Sequence, residues 1–109
     1  MSEPTGLTAV QACVGRFVAA HDLDTPVEAR VLDLASEVGE LAKEVLKGSD
    51  YGRAPFAPPE GWDGELADAL FALLCLANST GVDLDAALTA ALAKYADRIA
   101  ARGNAGSGR

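Results

Sequence analysis

Apolar residues recur at spacings of three and four along most of the chain, the period of helices that each turn one face to a core. Leu7, Val10, Val14, Phe17 and Val18 mark a first helix that runs to about His21. In "DTPVEARVL", Thr25 is placed as an N-cap, Pro26 as the first helical residue and Glu28 as the acid of a capping box, so a second helix opens there. Its core stripe is Val27, Val31, Leu34, Val38, Leu41 and Val45, and Gly48 stops it. Asp63 is expected to cap a third helix from Gly64 to about Thr80, closed by Gly81. Asp83 is expected to cap a fourth that runs to Ala101, before Gly103.

Between the second and third helices, residues 48–63 read "GSDYGRAPFAPPEGWD", a run of helix breakers that also carries Tyr51, Phe56 and Trp62. A loop of this length in a small helical domain is more often functional than idle. No internal repeat is visible. The pattern therefore predicts an all-α, four-helix chain with one domain over residues 7–102, a flexible leader over 1–6 and a disordered tail over 103–109.

Composition narrows the picture. With 109 residues, half of them apolar, the chain suits one domain, and its Ala- and Leu-rich makeup favours helix over sheet. A formal charge of −7 leaves no broad basic surface for a nucleic-acid backbone or an anionic membrane. The longest uncharged apolar run, Ala69 to Ala77, falls far short of the roughly 20 residues needed to span a bilayer. A soluble, cytoplasmic protein with no nucleic-acid or membrane partner is expected. Cys13 and Cys75 both occupy apolar helical positions and are expected to be buried, reduced thiols.

The candidate chemistry lies in the acids. Asp33, Glu37, Glu40, Glu44 and Lys47 follow one another at helical spacing, which taken alone is an ordinary wet stripe. The third helix, "GELADALFALLCLANS", is different: it is apolar nearly all round, and Glu65 and Asp68 are its only charges. Such a helix is expected to be buried on every face. Below Asp68 the same face continues with Ala72, Cys75 and Ser79, all small, which leaves space. Burying two unpaired carboxylates costs several kcal/mol each, and this helix has no Lys, Arg or His to offset them. If the second and third helices pack together, Glu37, Glu40, Glu65 and Asp68 converge on a site of oxygen ligands, which suits a hard divalent ion, above all Mg²⁺. His21, the sole histidine, reads as a helix-end surface residue, which argues against a carboxylate–histidine di-iron bundle.

With "EVGE" at 37–40, a spacer over 41–64, "ELAD" at 65–68 and "GVDLDAAL" following, the chain resembles the MazG-like family of all-α nucleoside triphosphate pyrophosphohydrolases, related to dCTP pyrophosphatases. The resemblance runs from about Leu7 to Arg102. It implies a MazG-like helical bundle whose core is completed by dimerisation, as a homodimer or a dimer of dimers. It also implies Mg²⁺-dependent hydrolysis, with Mn²⁺ as a substitute, of a standard or non-standard NTP or dNTP to its monophosphate and pyrophosphate, in a house-cleaning role. Carried over residue by residue, Glu37, Glu40, Glu65 and Asp68 become metal ligands, with Glu37 or Glu40 also orienting the attacking water.

Lys94, in "AKYADR", lies where family members often carry a base near the phosphates, and Arg98 is one turn further on; Leu92 stands where many members have Asn. Lys47 and Arg53, with Lys43, hold phosphates if the loop folds over the site; otherwise they are solvated charges. Trp62 either stacks a base, as Tyr51 or Phe56 could, or packs at the helix start. Asn78 either reaches the nucleoside or hydrogen-bonds near the helix end. Two other readings stay open: a phosphoribosyl-ATP pyrophosphohydrolase, and a non-enzymatic helical dimerisation or interaction module.

Overall fold

The computed structural model describes residues 6–102 and consists of four helices: α1 (Leu7–Ala20), α2 (Val27–Gly48), α3 (Trp62–Ser79) and α4 (Leu84–Arg102). Among the described residues there is no strand. Apart from Gly6, the expected leader and tail lie outside the described residues.

The helix starts differ from expectation in an instructive way. Thr25 makes no capping bond; Pro26 itself holds the cap position, with extended backbone, and its carbonyl accepts the N–H groups of Ala29 and Arg30. α3 begins at Trp62 rather than Gly64, because Gly61, at φ 89°, turns the chain through a left-handed conformation that costs a glycine little. Asp63 therefore sits inside the first turn, where its carboxylate accepts the Gly64 N–H at 2.9 Å. Asp63 and Glu65 still place negative charge at the positive end of the helix dipole. Asp83 lies where it was expected, accepting the Asp85 N–H at 3.2 Å ahead of α4.

α2 and α3 form the most extensive pairing and run antiparallel; α1 packs across α3, and α4 packs on α1. The buried apolar residues are Val18 from α1 and Ala72, Leu74, Cys75 and Ala77 from α3. Gln11, Arg30 and Ser49 are the buried polar residues among the described ones, and Gln11 bridges three elements. Gln11 donates to the Asn78 side chain at 3.1 Å and the Val82 carbonyl at 2.8 Å, and accepts the Leu84 N–H at 2.6 Å, so it joins α1, α3 and the start of α4. Gln11→Ala removes all three bonds and strands buried polar groups; it should lower stability by about 2–4 kcal/mol, read by denaturant unfolding.

Three expectations fail within the single chain. The α2 stripe is only partly covered: Leu34 and Leu41 are half-buried, while Val27, Val31, Val38 and Val45 are exposed, Val38 by 52%. α3 is not covered on every face, since Leu66, Leu70 and Leu73 stand open while Ala72, Leu74 and Cys75 are enclosed. Cys13 is exposed, unlike buried Cys75, because α1 buries the face of Gln11 and Val18, and Cys13 falls off that face. Among the described residues no single helix is long and apolar enough to cross a membrane.

Candidate functional site

The antiparallel pairing of α2 with α3 places the middle of one beside the first two turns of the other. Glu37, Glu65 and Asp68 each turn one carboxylate oxygen to a common point, all three oxygens within 4.8 Å of one another. Glu37 and Glu65 are half-buried and Asp68 is exposed. Among the described residues none of the three makes an ion pair. The Glu37 carboxyl is held above the ordinary carboxylate range, first by loss of water, then by the like charges of Asp68, Glu65, Glu40 and Asp33.

Three mutually repelling oxygens at this spacing form a group that a divalent cation fits, since hard ions take carboxylate oxygens and supply the charge this cluster lacks. The sign of the pH dependence follows. Because the folded-state pKa of Glu37 is raised, the folded chain binds more protons than the unfolded one just above the ordinary value of 4.5. The contribution to stability is therefore full below 4.5 and is lost as pH rises through the raised value. Metal-free wild type should lose melting temperature relative to Glu37→Gln over that rise. A divalent ion should restore it increasingly, because the ion needs the deprotonated form. Differential scanning fluorimetry with and without Mg²⁺ reads both effects.

Glu40 lies outside the three-oxygen group. Its carboxylate is 3.5 Å from the Lys43 ammonium, an exposed i,i+3 pair worth at most about 1 kcal/mol and so readily given up. Glu44, a turn further, is also outside the group.

The residues expected to touch a nucleotide are scattered. Arg53 pairs with Asp50 at 3.3 Å on the surface, and Lys47 is exposed near the end of α2. Trp62 meets Phe56 edge to face, with ring centroids 5.2 Å apart, while Tyr51 stands in solvent. The loop that carries Phe56 folds back onto α2: the Ala57 N–H donates to the Gly48 carbonyl at 3.1 Å, and a Cβ at Gly48 would lie 2.7 Å from the Phe56 ring. Lys94 and Arg98 are on α4, which packs on α1, and neither lines the cleft beside the acids. Asn78 is engaged at both ends of its amide, accepting from the Gln11 side chain and donating to the Gln11 carbonyl at 3.0 Å. His21 is exposed at the C-terminal end of α1, stacked near Phe17.

One residue went unremarked in the sequence. Arg30 is 93% buried, one guanidinium nitrogen donates to the Leu23 carbonyl, and its Nε–H has no partner. With Asp33, Glu37, Asp68, Phe71 and Ala72 it lines a cleft of about 280 Å³. Its signal was its register: seven residues before Glu37, two helical turns, it shares that residue's face.

Comparison with known proteins bears on the family and the fold. Residues 26–102 match the model of the MazG nucleotide pyrophosphohydrolase domain. The uncharacterized protein YpjD of Bacillus subtilis (strain 168) is 34% identical over 92 residues, covering 82% of this chain and 78% of YpjD. The crystal structure of YpjD from Bacillus subtilis, solved as a candidate pyrophosphatase, superposes with a TM-score of 0.68 at 33% identity, covering 87% of this chain and 96% of that one. The four helices, the acid group on α2 and α3 and these matches lead to one assignment: the chain belongs to the MazG nucleotide pyrophosphohydrolase family.

Proposed function

We propose that the protein hydrolyses a nucleoside triphosphate to its monophosphate and pyrophosphate in a Mg²⁺-dependent reaction, with Mn²⁺ able to substitute. The observation that carries this reading is the convergence of Glu37, Glu65 and Asp68 from two helices onto one point, with no cation of the chain to neutralise them among the described residues. Glu37, Glu65 and Asp68 would hold the metal, and Glu40 would complete the set on leaving Lys43. Bound there, the ion would neutralise phosphate oxygens and acidify a water.

The chain's own residues do the rest. One water is consumed across the α–β phosphoanhydride, and the bond to the bridging oxygen breaks as the new P–O bond forms. Glu37 or Glu40 orients that water and takes its proton; Glu40, outside the three-oxygen group, has an oxygen left for this task. Release of pyrophosphate from a panel of NTPs and dNTPs with Mg²⁺ tests the activity, and no turnover of any member would remove it.

The exposed apolar faces of α2 and α3 support a homo-oligomer, a dimer or a dimer of dimers, in which a second copy covers Val31, Val38 and Leu70. Lys94 and Arg98, remote from the acids of their own chain, would then approach the phosphates of a neighbouring copy. Sedimentation at micromolar concentration distinguishes this from a monomer.

A further inference from the structure

α4 carries Lys94 and Arg98, yet little of its own surface holds it in place. It has no buried residue, its main packing partner is α1, and Leu88, Leu92 and Ile99 are exposed by 51%, 57% and 52%. The chain turns through 104° between α3 and α4 across residues 80–83, with Gly81 at φ 69° in the left-handed region. A glycine has no Cβ to oppose a wider or narrower bend. The direction of α4 is therefore set by what grips the turn.

One side chain grips it on both sides. Gln11, on α1 and 7% exposed, donates from Nε2 to the Val82 carbonyl at 2.8 Å and to the Asn78 Oδ1 at 3.1 Å. Its Oε1 accepts the Leu84 N–H at 2.6 Å, a donor at the start of α4 that has no partner within the helix. Asn78 closes the arrangement by donating to the Gln11 main-chain carbonyl at 3.0 Å. Both amide hydrogens and the amide oxygen are thus in use, and only one orientation serves. Turned over, the amide would set hydrogens against the Leu84 N–H and oxygen against the Val82 carbonyl. Thr8 adds one exposed bond, to the Asp83 carboxylate at 3.0 Å. Glu37, Glu65 and Asp68 take no part in this network.

The grip acts at the pivot of a long rod. Lys94 lies ten residues beyond Leu84 and Arg98 fourteen, about 15 and 21 Å at 1.5 Å per residue. A swing of about 10° at the pivot moves these two positions by roughly 2.6 and 3.7 Å, close to or beyond the length of a hydrogen bond. A group that must meet a phosphate does not survive such a displacement, since a misplacement of about 1 Å can cost on the order of a hundredfold.

We propose that Gln11 is a positioning residue: its amide sets the direction of α4 and, through it, where Lys94 and Arg98 stand when they meet the phosphates of a substrate in a neighbouring copy. The consequence for phosphates rests on the pyrophosphatase reading; the control of α4 does not.

The test uses the full chain. Gln11→Met keeps the side-chain length and removes the three amide bonds. Leu84→Pro removes only the bonded N–H, at the first helical position that proline suits, and carries the test if Gln11→Met fails to fold. Spin labels on the exposed Cys13 and on Ala100→Cys, at an exposed position near the end of α4, report the distance between α1 and α4 by pulsed electron resonance. Labelled chain is refolded with an excess of unlabelled chain, so that pairs within one copy dominate. The expected result is one narrow distance with Gln11 and Leu84 in place and a shifted or broadened one in each variant. In turnover, KM for a hydrolysed triphosphate should rise about tenfold or more while kcat changes by less than about threefold, and the Mg²⁺-induced melting shift should be retained. Removing both bases, Lys94→Ala with Arg98→Ala, should cost far less in the Gln11→Met chain than in wild type, because that chain has already misplaced them. A purely structural Gln11 would lower stability and leave this cost equal in the two backgrounds, which overturns the proposal, as does an unchanged distance in both variants. A shifted α4 without turnover of any triphosphate by wild type upholds the control of α4 and overturns the pyrophosphatase reading; turnover with an unmoved α4 does the reverse.

Discussion

Asp68→Asn is expected to cut pyrophosphate release by on the order of a thousandfold or more, and Glu40→Gln to do the same, with the helical fold intact in both. Asp33, Glu37 and Asp68 are the three acids that share the cleft with Arg30, and Asp68 is the first of the like charges, ahead of Glu65, Glu40 and Asp33, that raise the Glu37 carboxyl. Losing Asp68 removes one of only three oxygens at the common point. An amide in its place still offers an oxygen but no charge, and a hard divalent ion is held chiefly by charge. The same substitution should leave the metal-free melting temperature unchanged or higher, because it removes a like-charge neighbour of Glu37. The two readouts move in opposite directions, which separates a lost ligand from a damaged fold. The Mg²⁺-induced rise in melting temperature should shrink in parallel with activity. Near-normal turnover in both variants would place the metal elsewhere.

Leu74→Ala should cost about 3–5 kcal/mol, a large part of the roughly 5–15 kcal/mol that holds a domain of this kind folded. Leu74 is only 2% exposed and is the largest fully buried side chain among the described residues. The apolar residues enclosed with it are Val18, Ala72, Cys75 and Ala77, small enough that little can relax into the void. If a second copy covers the open faces of α2 and α3, the loss appears as a midpoint that depends on protein concentration, since folding and association are then linked. Urea unfolding at two concentrations tenfold apart checks both points. A loss below about 1 kcal/mol would mean that the centre of stability lies away from Leu74.

Much of the architecture was written in local patterns. The 3.6-residue period, Gly48 at the end of α2, Gly81 just past α3 and the Asp83 cap located four helices to within two or three residues, because these signals act over a single turn. The starts of α2 and α3 slipped for the same reason in reverse. Thr25 and Asp63 are good caps, but whether a residue occupies the cap depends on how the preceding loop arrives. Pro26 and Gly61 decided that through their own backbone conformations.

The acids show the same division. Isolated charges on an otherwise apolar helix singled out Glu65 and Asp68, and their spacing with Glu37 and Glu40 suggested one site. Only packing separated Glu37 from Glu40: the first faces α3, while the second, three residues on, leans to Lys43. Lys94, Arg98, Arg53 and Lys47 could not be placed from sequence, because long cationic side chains are tolerated on almost any wet surface. Arg30 was passed over for the opposite reason: an Arg in an amphipathic helix looks solvated until its neighbours enclose it.

The sequence by itself determined the helices, their order and the set of acids available, since each follows from the chemistry of residues three or four apart. Tertiary structure decided which acids meet, that Arg30 is enclosed with an idle donor, that Asn78 is spent on Gln11, and that the valines of the α2 stripe stay exposed. Those outcomes depend on distances between residues far apart in the chain, and such distances are set only when α2 and α3 lie against each other.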